Sequence, residues 1–113
     1  MTARMPGGTR SRFGRKVRLM ASFEQWLETF DEVYRAMPDA PDLACPNCGQ
    51  RALRLVFTAR PGADVGYAAF WCEHCGEGIH ISRAAVPAGA VVRDGGVPIE
   101  DREPKIPDYR VVS

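Results

Sequence analysis

All four cysteines of this chain fall in two matching pieces, Cys45-Pro46-Asn47-Cys48-Gly49 and Cys72-Glu73-His74-Cys75-Gly76. Thiolates ligate metals, and two intervening residues let a tight turn aim both sulfurs at one point, with backbone N–H groups directed at them. The glycine after each second cysteine permits the positive φ that the chain needs to leave such a turn. Two turns of this kind, brought together, make a tetrahedral site of four sulfurs, a donor set that suits Zn²⁺ best. Four thiolates close the coordination sphere and leave no position for substrate, so the expected role of the metal is structural.

Paired cysteines have three other uses. Structural disulfides need an oxidising compartment, and the sequence shows no signal-peptide hydrophobic region to direct the chain to one. A thioredoxin-like redox pair needs a helix opening at the motif inside a βαβ unit, whereas strand-like residues follow Gly49 and Gly76. Iron held by the same four thiolates is the serious competitor.

The elements that must position these turns are legible around them. Phe23, Trp26, Leu27, Phe30, Val33, Tyr34 and Met37 recur at spacings of three and four, which predicts an amphipathic helix over Phe23 to Met37. Ser22 is its expected cap with Gln25 as capping-box partner, and Pro38 and Pro41 end it. Arg51 to Thr58 and Gly66 to Trp71 read as strands flanking a turn that contains Pro61-Gly62, an antiparallel hairpin. Ile79 to Ser82 is a third strand and Ala90 to Arg93 a weaker fourth. Twenty-three residues separate Cys48 from Cys72, slightly more than is usual for such sites. A hairpin accounts for this distance, because antiparallel pairing returns the chain to where it began.

On these motifs, residues 45–82 resemble the zinc-ribbon superfamily. The resemblance covers about a third of the chain and all four cysteines. It implies one zinc, ligated by Cys45, Cys48, Cys72 and Cys75, at the base of a three-stranded antiparallel sheet. It says little about function, since ribbons serve transcription, translation, scaffolding and enzyme subunits alike. Ribbons that assist transcript cleavage carry an adjacent Asp-Glu pair at the hairpin tip; here Asp64 stands alone between Ala63 and Val65. Rubredoxins usually place the Cys-Pro-x-Cys-Gly form at the second pair and an aromatic after the first glycine. Here the proline form comes first and Gln50 follows Gly49, which makes iron the weaker choice.

The remainder sets bounds. At 113 residues, 45% hydrophobic and 26% charged, the chain has room for one folded domain of modest core. The uncharged central run Val65 to Cys72 is too short to cross a bilayer. Residues 1–21 read as a basic disordered tail, 22–93 as helix plus ribbon, and 94–113 as an extended C-terminal tail clipped on by Ile99, Ile106 or Val111. The first nineteen residues hold six bases and no acid, so of 15 bases and 14 acids the rest keeps nine and 14, a net charge of −5. Candidate nucleic-acid contacts are therefore confined to the tail: Arg10, Arg12, Arg15, Lys16 and Arg18. The plainer expectation for the same residues is a solvated tail, or an upstream start codon with the natural beginning expected at Met20.

His74 is expected at the tip of its turn in solvent. His80 alternates with Ile79 and Ile81 and should point away from their buried face. Phe23, Trp26, Phe30 and Tyr34 are candidate partner-docking residues, set against the plainer reading that the stripe packs on Leu53, Leu55, Phe57 and Trp71 as core. No catalytic constellation is present in the sequence. The expectation is an α+β, cytoplasmic, non-enzymatic protein-interaction module with flexible ends. The alternatives are a nucleic-acid-binding accessory factor of transcription or translation and, more weakly, a rubredoxin-like iron electron carrier.

Overall fold

Residues 20–39 and 42–113 are described by the computed structural model. The basic residues Arg10, Arg12, Arg15, Lys16 and Arg18, and with them the expected nucleic-acid contacts, lie outside the described residues.

The apolar stripe forms helix α1, Phe23–Ala36. The Ser22 hydroxyl accepts the Gln25 N–H at 3.2 Å, and the Gln25 side chain accepts the Ser22 N–H at 2.8 Å. This reciprocal box satisfies two N–H groups that have no partner within the helix. Pro38 lacks an N–H to continue the ladder, and the helix stops short of it. Among the described residues, no helix is long and apolar enough to cross a membrane.

Strands β1 (Leu53–Ala59) and β2 (Val65–Cys72) form the expected hairpin, with Leu53 opposite Cys72 and Thr58 opposite Tyr67. Strand β3, Glu77–Ala85, lies antiparallel on the other side of β2. Two further strands, one of them the fourth strand expected at Ala90 to Arg93, correct the three-stranded antiparallel sheet that the resemblance implies. Strand β4, Val92–Asp94, pairs parallel with β1, and β5, Arg110–Val111, pairs parallel with the start of β3. The protein is thus α+β with a five-stranded mixed sheet in the order β4-β1-β2-β3-β5. Parallel neighbours require a crossover, and residues 86–91 supply one: Val86 and Ala90 join the core on the α1 side, and Val91 C=O accepts the Phe57 N–H at 2.9 Å.

Alternation along the strands divides their side chains between two faces. Leu53, Leu55, Phe57, Phe70 and Ile79 face α1, where Trp26 and Phe30 meet Phe70 edge-on at centroid distances of 5.7 and 5.9 Å. Val56, Ala69 and Trp71 lie on the opposite face and would be wet if the C-terminal segment were loose. Instead Ile106 and Tyr109 cover them, and the Tyr109 ring stacks on Trp71 at 5.6 Å and 12°.

The C-terminal tail, expected to be extended and clipped on at single residues, is a strap. Its backbone is tied to the sheet by Arg110 N–H to Gly76 C=O at 2.8 Å and Val112 N–H to Gly78 C=O at 2.7 Å. Of the three residues expected to clip it down, Ile106 packs, while Ile99 and Val111 are exposed. The Tyr109 hydroxyl also donates to Ile79 C=O at 2.8 Å. Tyr109→Phe keeps the stacked ring and removes that one hydrogen bond. It should lower stability by about 1 kcal/mol, measured as a shift in the denaturant midpoint at unchanged slope.

Candidate metal centre

Each cysteine pair sits on its own tight turn. Gly49 N–H bonds Cys45 C=O and Gly76 N–H bonds Cys72 C=O, both at 2.9 Å. Gly49 and Gly76 leave the turns at φ 81° and 74°, a conformation that other residues reach only under strain. Backbone N–H groups point at the sulfurs: Asn47 and Cys48 donate to Cys45 Sγ at 3.3 and 3.4 Å, and His74 donates to Cys72 Sγ at 3.3 Å. The hairpin brings the turns together, and Glu73 N–H donates to Ala52 C=O at 2.9 Å where they meet.

The result is a cluster in which ligand atoms of Cys45, Cys48, Cys72 and Cys75 all lie within 4.8 Å of one another. Cys45 Sγ is 3.8 Å from Cys75 Sγ, and Cys48 Sγ is 3.7 Å from Cys72 Sγ. Four sulfurs set tetrahedrally, each about 2.3 Å from a zinc ion, are separated by about 3.8 Å. The closest pairs thus already stand at the edge length of such a tetrahedron, and all four thiols are free.

Burial drives the thiols apart in acidity. It pushes Cys45 up to about 12 against the pull of its two backbone donors, and it raises Cys72 as well. Half-buried Cys75 is pushed up by its partial burial too, yet it falls below the ordinary thiol because the Asn47 amide and the Glu77 N–H hydrogen-bond its sulfur. Without metal, Cys45 and Cys72 hold their protons at neutral pH, so metal uptake must expel them.

Asn47 has a role that its place in the motif did not announce. Its Nδ2 donates to Cys75 Sγ at 3.6 Å, and its Oδ1 accepts the Ala21 N–H at 3.0 Å. One side chain thereby joins both turns to the residue ahead of the α1 cap. Such outer contacts orient ligands and tune their basicity. Only the contrast between Asn47 and His74 at equivalent turn positions could have drawn attention to it.

The remaining candidates fall elsewhere. His74 is exposed, and His80 is exposed on the strap side, its ring 5.1 Å from that of Tyr67. Trp26 and Phe30 are buried in the core, so they are not available as docking residues. Phe23 and Tyr34 are half-buried, with the Tyr34 hydroxyl donating to Ala85 C=O at 2.8 Å.

Fold and site together define an α+β protein with a four-cysteine cluster able to hold one metal ion. No family model, no curated protein and no solved structure matches the chain.

Proposed function

We propose that the cluster holds one structural zinc and that this ribbon-like protein is a non-enzymatic module that binds another protein. The observation that carries the metal is the sulfur geometry, with S···S separations of 3.7 and 3.8 Å on two turns built alike. Four thiolates complete a zinc coordination sphere, which favours scaffold over catalysis. The surface offered to a partner is the flank of α1, where Leu27 is exposed beside half-buried Phe23. Purified protein that is colourless, with one zinc per chain by elemental analysis, is the expected result; a red ferric thiolate would make it an iron carrier instead. Affinity purification from the native cell should recover a partner that the Leu27→Glu protein fails to hold.

Nucleic-acid binding is tested by the charge division. A chain beginning at Met20 carries nine bases against 14 acids and is expected to bind neither single- nor double-stranded nucleic acid at physiological salt. The full chain, with its six additional bases, should show only weak binding that collapses as salt rises. Salt-resistant micromolar binding by the shorter chain, measured by fluorescence anisotropy, would put the nucleic-acid factor in place of the protein-binding module.

A further inference from the structure

Arg93, on strand β4, is 6% exposed. A guanidinium withdrawn from water is normally matched by a carboxylate, because its charge cannot be neutralised by losing a proton. Here the partners are hydroxyls: Nε donates to Thr58 Oγ1 at 2.7 Å and Nη2 to the Tyr67 hydroxyl at 3.3 Å. None of the ion pairs among the described residues includes Arg93. A second guanidinium, that of half-buried Arg102, also donates to the Tyr67 hydroxyl, at 3.4 Å. Its other acceptors are the carbonyls of Val97 and Gly95. Two cations therefore converge on one phenol, and neither is in an ion pair among the described residues.

Arg93 and Tyr67, though not Arg102, border an open cavity of about 310 Å³ between the sheet and the strap. Arg93 forms part of its lining, Tyr67, His80, Ile106 and Tyr109 give it flat and apolar walls, and Asp108 stands on its rim. The volume is at the small end of what ligand pockets span.

We propose that this cavity binds a small organic carboxylate with a flat apolar body, its carboxylate seated on the Arg93 guanidinium. The planar fork of Arg93 suits the two oxygens of a carboxylate, and the Nη1 group makes no hydrogen bond among the described residues. The rings of Tyr67, His80 and Tyr109 offer faces on which a planar body stacks. Asp108 sets the charge of the head group, since a second negative charge on the ligand meets its carboxylate across a small space. The potential at the site is visible in Tyr67. Burial pushes its phenol up, yet hydrogen bonds from Thr58 and Arg93 and the charges of Arg93 and Arg102 bring it below the ordinary value. The site lies on the sheet face away from α1 and is independent of the zinc reading.

The test is a titration of the full chain with benzoate, acetate and phenyl phosphate, following the ring signals of Tyr67, His80 and Tyr109 by NMR. Benzoate should saturate those shifts, acetate should bind about tenfold more weakly for want of a body to stack, and phenyl phosphate should also bind more weakly. Asp108→Asn should narrow the gap between phenyl phosphate and benzoate, and Arg93→Gln should abolish saturation by benzoate. Should Arg93→Gln fail to fold, His80→Ala, at an exposed position, should still weaken benzoate several-fold. Shifts that never saturate, acetate or phenyl phosphate binding as tightly as benzoate, or benzoate binding unchanged in a folded Arg93→Gln or in His80→Ala would overturn the proposal.

Discussion

Cys72→Ser should release the metal and unfold the sheet. Cys72 is fully buried at the end of β2, opposite Leu53 and 3.7 Å from Cys48 Sγ, so its sulfur belongs both to the cluster and to the core. Structural zinc contributes about 10–16 kcal/mol to sites of this kind near neutral pH, which equals or exceeds the whole stability of an ordinary small domain. A serine hydroxyl cannot replace a thiolate ligand at that pH. Zinc analysis and thermal melting should give one zinc and a cooperative transition for the native chain, and neither for the variant. Native protein without zinc, or a Cys72→Ser protein melting unchanged, would sink the structural-zinc proposal.

Acid should act in the same direction as the mutation. Zinc binds thiolates, and the metal-free site holds thiols at Cys45 and Cys72, so protons compete with metal more strongly as pH falls. Zinc content and melting temperature of the loaded protein should therefore fall together as pH is lowered below neutral, whereas raising pH should cost neither; melting unchanged in acid would argue against thiolate ligation.

Phe70→Ala is the second large effect, and it leaves the cysteines in place. Phe70 is buried at the centre of the α1-facing layer, with Trp26 and Phe30 both edge-on to its ring. Emptying that position removes transfer energy and leaves a cavity that two rigid rings cannot close, at a cost of about 3–5 kcal/mol. Chemical denaturation of the zinc-loaded protein should show the loss. Val111→Ala, at an exposed site, should stay within about 0.5 kcal/mol of the native chain. A Phe70→Ala midpoint close to the native one would mean that α1 does not depend on this contact.

The helix and the two turns were legible because their information is local. A stripe at spacings of three and four makes a face whatever covers it, and Ser22 with Gln25 marks its beginning without reference to the rest of the chain. The two cysteine pieces specify their own turns, and the hairpin between them follows from a Pro-Gly turn flanked by apolar strands. The outer strands were harder to read. Strand β5 is two residues long and β4 three, and neither length carries a periodicity. Pro98, Pro104 and Pro107 mark residues 94–113 as irregular, and irregular they largely are. An irregular segment is still able to pack, and Tyr109 finds in Trp71 a partner 38 positions back along the chain.

The sequence by itself determined that this protein has an amphipathic helix, a hairpin and two cysteine turns suited to one metal. Each of those properties lies in a short run of residues and obeys local steric and hydrogen-bonding rules. Only the tertiary structure decided which face each residue joins. It settled Trp26 and Phe30 in the core rather than on a docking surface, put Trp71 under the strap instead of under α1, and made the sheet mixed by carrying residues 86–91 across to β1. It also joined Arg93 and Arg102 to Tyr67, residues far apart in the chain that nothing local pairs. The physical reason is that burial is non-directional: apolar side chains seek cover wherever the chain can supply it, and the charges carried along are then placed by that packing.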